Sequence, residues 1–203
     1  MTPFPPRAFE RIDESDDALF YAPPRMVTHI DAGAIAALVA FYRQALKPGN
    51  AVLDLMSSWV SHLPEDLPLG EVIGHGMNEA ELAANPRLTR WFVQDLNRQP
   101  ALPLDDASLY AALCCVSVQY LQRPVEVFGE VRRVLRPGAP FIVSYSNRCF
   151  PTKAVEVWRG LDLRGHASLI GSYFERAGFA NIGAHVLANG MNGDPLVAVT
   201  GEA

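Results

Sequence analysis

The chain has 203 residues, 49% of them hydrophobic and 19% charged, with a net charge of −5 at pH 7; it can bury one substantial core, and its composition excludes a disordered polymer. The acidic balance argues against a general nucleic-acid-binding surface, and no uninterrupted apolar run reaches the roughly 20 residues that a bilayer demands. Three cysteines without CxxC spacing and five scattered histidines give no framework for disulfides or a metal.

Residues 1–30 carry Pro3, Pro5, Pro6, Pro23 and Pro24 with Phe9, Phe20 and Tyr21 among them; aromatic residues on such an arm predict that it packs back onto the body formed by 31–203. The stretch Met1–Asp17 lacks the apolar core of a secretory signal, so a cytoplasmic protein without membrane or nucleic-acid partners is expected. Asp31 reads as the N-cap of a helix over Ala34–Leu46, with Ile35, Leu38, Val39, Tyr42 and Leu46 at helical spacing and Lys47-Pro48-Gly49 as its stop. Short apolar runs at Ala51–Leu55, Glu71–Gly74, Trp91–Val93, Leu109–Val118 and Ala139–Tyr145 fit strands of a buried, mostly parallel sheet. Asn78 suits the N-cap of a helix over Glu79–Ala84, and Pro124 opens a longer one that ends at Arg136-Pro137-Gly138. Helices are predicted near Pro151–Gly160 and His166–Ala177, the second closed by Gly178. Two last strands, Ile182–Ala188 and Leu196–Thr200, flank turn residues that favour an antiparallel hairpin. This alternation is the α/β pattern.

The phrase from Leu102 through Leu121, followed by Glu130-Val-Arg-Arg-Val-Leu-Arg-Pro-Gly138 and the strand at Phe141, resembles the class I S-adenosylmethionine-dependent methyltransferases, of the small-molecule and quinone type. The likeness covers roughly residues 36–200. More narrowly, Phe20–Arg25, His29-Ile-Asp31, Asp54–Pro64 and Ser146-Asn-Arg148 resemble a bacterial and plant subfamily. The resemblance implies a Rossmann-like three-layer sandwich, with a seven-stranded, mostly parallel sheet whose last strand is antiparallel. It also implies S-adenosyl-L-methionine as cofactor and a small-molecule methyl acceptor.

The resemblance further implies a cofactor site at the strand ends. After the first strand the family has an acid and a glycine-rich loop; here Asp54 supplies the acid, while Met56, Ser58 and Val60 stand at the glycine positions. Side chains there remove backbone freedom, so the loop must be rebuilt, with the hydroxyls of Ser57, Ser58 and Ser61 available to the cofactor. Pro64 and Pro68 leave little room for the usual helix that follows. After the second strand, Gly74, Gly76, Met77 and Asn78 occupy the ribose region, with Gly76 where an acid is expected. Asp95 and Leu96 match the adenine contacts, and Cys115 and Val116 align beside the cofactor. Tyr21, His29, Tyr120 and Asn147 are candidate catalytic residues, and Arg25, Gln119 and Arg148 candidate substrate contacts, the arginines for an anionic group. The competing expectation is a pseudo-methyltransferase that keeps the fold and serves as a binding or regulatory protein.

Overall fold

The computed structural model describes residues 3–203; Met1 and Thr2, the start of the expected arm, lie outside the described residues. Strands β1 (Val52–Leu55), β2 (Val72–Gly76), β3 (Arg90–Val93), β4 (Ala111–Cys115), β5 (Pro140–Tyr145), β6 (Ala180–Ala188) and β7 (Leu196–Glu202) form one seven-stranded sheet in the order β3-β2-β1-β4-β5-β7-β6. The first five run parallel, and β7 pairs antiparallel with both β5 and β6. This is the Rossmann-like topology that the resemblance implies.

The layers follow from period-two burial along the strands. Val52, Ala111, Leu113 and Ile142 face Leu38 and Tyr42 of helix α2 (Ala32–Ala45). Their neighbours Leu53, Leu55, Ala112, Phe141 and Val143 face the opposite helices, α4 (Pro124–Val134) and α6 (Leu163–Arg176), through Phe128, Val131, Ile170 and Phe174. Asp31 caps α2, its carboxylate accepting from the Ala34 N–H at 2.8 Å, and α3 (Glu79–Ala84) spans the expected residues behind the Asn78 cap. No helix is described between β1 and β2, where the prolines stand. Among the described residues no helix is long and apolar enough to cross a membrane.

Three segments depart from the sequence expectation by more than a few residues at an end. The run Leu109–Val118 is a strand only over β4, because Val116 takes a φ of 44° and a 3₁₀ turn follows at Val118–Tyr120. The helix expected over 151–160 shrinks to α5 (Glu156–Arg159). Its free N-terminal donors meet the arm instead: the Glu156 and Val157 N–H groups donate to the Glu10 and Ala8 carbonyls at 2.8 and 2.9 Å. Within the arm, a short helix α1 (Asp17–Tyr21) forms behind an Asp16 cap, too short for a periodic signal.

The arm does two things. Its first part packs Phe4 and Phe9 against Tyr173 of α6, with ring centroids 5.7 and 6.2 Å away. Its second part, from Asp17 to His29, lines a cavity at the C-terminal ends of β1–β4.

Candidate active site

Parallel α/β sheets bind ligands outside the carboxyl ends of their strands, and the cavity lies there, with a volume of about 370 Å³. Asp54, Met56, Ser57 and Ser58 reach it from the end of β1 and the loop beyond, and Gly76, Met77 and Asn78 likewise from β2. Asp95 and Leu96 enter after β3, and Cys115 and Val116 at the end of β4. From above, Tyr21, Arg25 and His29 enter from the arm, His62 from the rebuilt loop, and Tyr120, Arg148 and Phe150 from the far side.

Three expected contacts lie outside the lining. Gly74 sits within β2 under Leu88, whose Cδ1 would be 2.3 Å from an added Cβ, so its missing side chain serves packing. Asn147 is exposed, its carboxamide oxygen accepting from Ser146 Oγ at 3.2 Å. Gln119 is buried beneath the site, where its amide donates to the Val116 carbonyl at 2.7 Å.

That bond has a purpose. A left-handed conformation is unfavourable for a β-branched residue, and Val116 holds it because its N–H donates to the Ser144 carbonyl at 2.8 Å while Gln119 grips its carbonyl. Strain held by surrounding bonds at the mouth of a cavity is characteristic of functional positions.

The rebuilt loop is tied at almost every residue. Met56, in the first glycine position, keeps a left-handed backbone, with φ 55°. Its N–H donates to His75 Nδ1 at 3.1 Å, and the Ser57 N–H donates to the His75 carbonyl at 2.6 Å. Ser57 Oγ donates to Asp54 Oδ2 at 2.5 Å, and Ser58 Oγ to Glu81 Oε2 at 2.6 Å. Asn85 Nδ2 donates to the Ser58 carbonyl and to Ser61 Oγ, both at 2.9 Å. The serine hydroxyls that the sequence offers to a ligand are thus engaged with the protein.

The loop also accounts for the missing acid. A Cβ on Gly76 would lie 2.6 Å from the Ser57 carbonyl oxygen, so the loop's path admits only glycine there. Gly76→Ala is expected to push the loop away and cost about 1–3 kcal/mol, a few degrees in a thermal melt. A carboxylate reaches this quarter from α3 instead: Glu81 accepts from Ser58 Oγ and from the Arg25 N–H, at 2.6 Å each. Asn78 is not free for a ribose, because its amide donates to the Tyr21 and Ala22 carbonyls at 2.9 and 3.0 Å while its oxygen caps α3.

Electrostatics follow from burial. Asp54 is 3% exposed, and desolvation lifts its carboxyl to about 6 against the help of Ser57 and Ser61. His75 is 1% exposed, and burial drops it to about 4. Burial also lowers His29 and His62, which favours their neutral forms, and it pushes the Cys115 thiol and the Tyr120 phenol up to about 12. Cysteine nucleophilic chemistry, which needs a thiolate, is therefore disfavoured here. No metal-holding group of three or more acidic, histidine or cysteine side chains occurs among the described residues.

Asp95 keeps one carboxylate oxygen in an Asx turn with the Asn97 N–H at 2.9 Å; the other has no hydrogen-bond partner among the described residues. His75, Glu81, Asp17 and Phe150 were not singled out from sequence. Glu81 was hidden by the capping pattern Asn78-x-x-Glu81, which explains an acid there without any site.

Residues 60–143 match a family model described as a methyltransferase domain. The match begins after Met56, Ser57 and Ser58, where the chain abandons the glycine-rich pattern. No curated protein matches the chain. Among solved structures, the [4+2]-cyclase SpnF superposes with TM-score 0.65 at 14% identity, over 92% of this chain and 90% of that one. An S-adenosylmethionine-dependent methyltransferase from Mesorhizobium loti gives 0.57 at 17% identity, over 83% and 98%. Phosphoethanolamine N-methyltransferase 2 of Haemonchus contortus, solved with S-adenosyl-L-methionine, gives 0.59 at 12% identity, over 82% of this chain and 52% of that one. Residues 60–143 are thus similar to a methyltransferase domain, and the chain has the fold of the class I S-adenosylmethionine-dependent methyltransferases.

Proposed function

We propose that the chain transfers a methyl group from S-adenosyl-L-methionine to a small anionic acceptor that is enclosed by the arm. The observation that carries this reading is the row of Asp54, Gly76, Asp95 and Val116, presented by four successive parallel strands to one cavity. The residues fit the cofactor. Asp95 offers a carboxylate oxygen to an adenine amine beside Leu96, Gly76 and Met77 leave room for a ribose, and Asp54 offers a carboxylate to an ammonium. Glycine-free as it is, the loop still presents a left-handed turn at Met56.

The cofactor supplies an electrophilic methyl group, and in-line displacement then rests on alignment more than on acid or base help. Tyr21 and Tyr120, both held as phenols by burial, and Phe150 wall the acceptor. Neutral His29 or His62 can take a proton that the acceptor releases. The Arg25 guanidinium donates to the Phe20 and Pro23 carbonyls and has no carboxylate partner among the described residues, so it suits an anionic acceptor group. Arg148 is held by Asp194 at 2.8 Å.

Calorimetric titration with S-adenosylmethionine and S-adenosylhomocysteine tests this. Binding is expected, and Asp95→Ala should weaken it about tenfold, the worth of one hydrogen bond to an ionised group. No heat and no thermal stabilisation at millimolar ligand would leave a binding protein built on the fold. SpnF, whose name is that of a cyclase, supports keeping chemistry and fold apart.

A further inference from the structure

We infer that His75 is a positioning residue that holds the cofactor loop, doing with an imidazole what glycines do in the family's usual turn. The inference rests on the cofactor reading above and concerns how this chain keeps its site in shape without them. Every residue of β2 is buried, and a histidine in such a strand must have both ring nitrogens satisfied. Met56 N–H donates to Nδ1 at 3.1 Å, which leaves the ring proton on Nε2, and that donates to the Gln94 carbonyl at 3.0 Å.

One ring therefore grips both ends of the site: the loop after β1, and the end of β3, where Gln94 precedes Asp95. The next two contacts act with it. Ser57 N–H reaches the His75 carbonyl at 2.6 Å, and Gly76 clears the path of the Ser57 carbonyl. The left-handed Met56 is thereby pinned by a hydrogen bond to its own N–H, so it keeps an unfavourable backbone that a glycine would adopt freely. An apolar residue at 75 would fill the strand but leave the Met56 N–H without an acceptor.

Two isosteric replacements separate the ring's functions. In His75→Asn the carboxamide oxygen stands near the place of Nδ1 and can accept from Met56; in His75→Gln the amide stands near Nε2 and can donate to Gln94. Each variant and the parent protein are melted and then titrated with S-adenosylhomocysteine by calorimetry. Both variants are expected to melt lower, yet His75→Asn should bind within about threefold of the parent while His75→Gln weakens at least tenfold. Equal affinities, equal losses, or the reverse order would overturn the inference, since a purely structural histidine would not distinguish the two.

A second measurement needs no variant to fold. In the parent protein the ¹⁵N signals of His75 should report the neutral Nε2–H tautomer down to about pH 5 and should shift on ligand addition; a ring indifferent to the ligand also overturns it. If the parent protein takes no S-adenosylhomocysteine, the cofactor reading fails, whereas the tautomer signal still reports whether the latch exists.

Discussion

Asp54→Asn is expected to make the unliganded protein more stable at neutral pH while weakening its hold on S-adenosylmethionine by about 10- to 100-fold, the worth of a charge-assisted hydrogen bond. The two effects share one cause. Folding moves this carboxyl from an ordinary value of 3.8 to about 6. A group whose pKa is raised on folding contributes stability below its unfolded value and loses it as pH rises through the folded one, so ionised Asp54 costs the empty protein up to about 3 kcal/mol at pH 7. An asparagine avoids that cost and can still pair with Ser57 and Ser61. A cationic ligand head would offset it in the parent protein.

His75 has the opposite slope. Its pKa falls from 6.5 to about 4, so its contribution is present above 6.5 and is lost as pH falls through 4. Between these limits the two contributions oppose each other. Asp54→Asn removes one slope and exposes the other. Melting curves from pH 4 to pH 8 should therefore show a variant that is several degrees more stable than the parent at pH 7 and loses that advantage in acid. A variant that melts lower than the parent at pH 7, or binds cofactor as well, would refute the assignment.

Much of the fold was legible because it depends on local pattern. The helix after Asp31, the strand runs through Tyr145 and the closing hairpin each carry a periodic apolar signal and a turn residue, and all appear in the structure. His75 was not legible: a polar residue ends an apolar run, so the sequence pattern stops the second strand at Gly74, whereas the strand continues because Met56 and Gln94, both 19 residues distant, satisfy the ring. Lys153 was hidden for the same reason. It lies inside the helix expected near Pro151–Gly160, yet its partners are Asp13, Ser15 and Asp17, at the other end of the chain. Sequence also showed that the acid after the second strand was missing but could not give the reason, which is the Ser57 carbonyl passing over Gly76.

The buried charges around Lys153 carry the other large expected effect. Asp17 is 5% exposed and takes two hydrogen bonds from Arg11 Nη1, at 2.9 and 2.7 Å, with Lys153 Nζ at 3.1 Å and Asn97 Nδ2 at 3.2 Å. Lys153 is fully buried and also donates to the Ser15 carbonyl at 2.8 Å. Asp17→Ala leaves buried Lys153 with the partly exposed Asp13 at 3.2 Å and Arg11 with the more distant Glu14 at 3.7 Å, and removing the buried partner of such a group costs about 3 kcal/mol. For a chain of this size the melting temperature should drop by roughly 10 °C. Lys153→Met should cost less, because Asp17 keeps Arg11 and the thioether fills the space of the lysine stem. The order of the two matters for function, since Asp17 opens the short helix that carries Tyr21 over the cavity. In Asp17→Ala, trypsin should cut after Arg11 and Arg25 before the body unfolds, with the acceptor's KM rising more than kcat falls. If the arm stays resistant to protease in that variant, its aromatic contacts at Phe4, Phe9 and Phe20 hold it, and the charges do not.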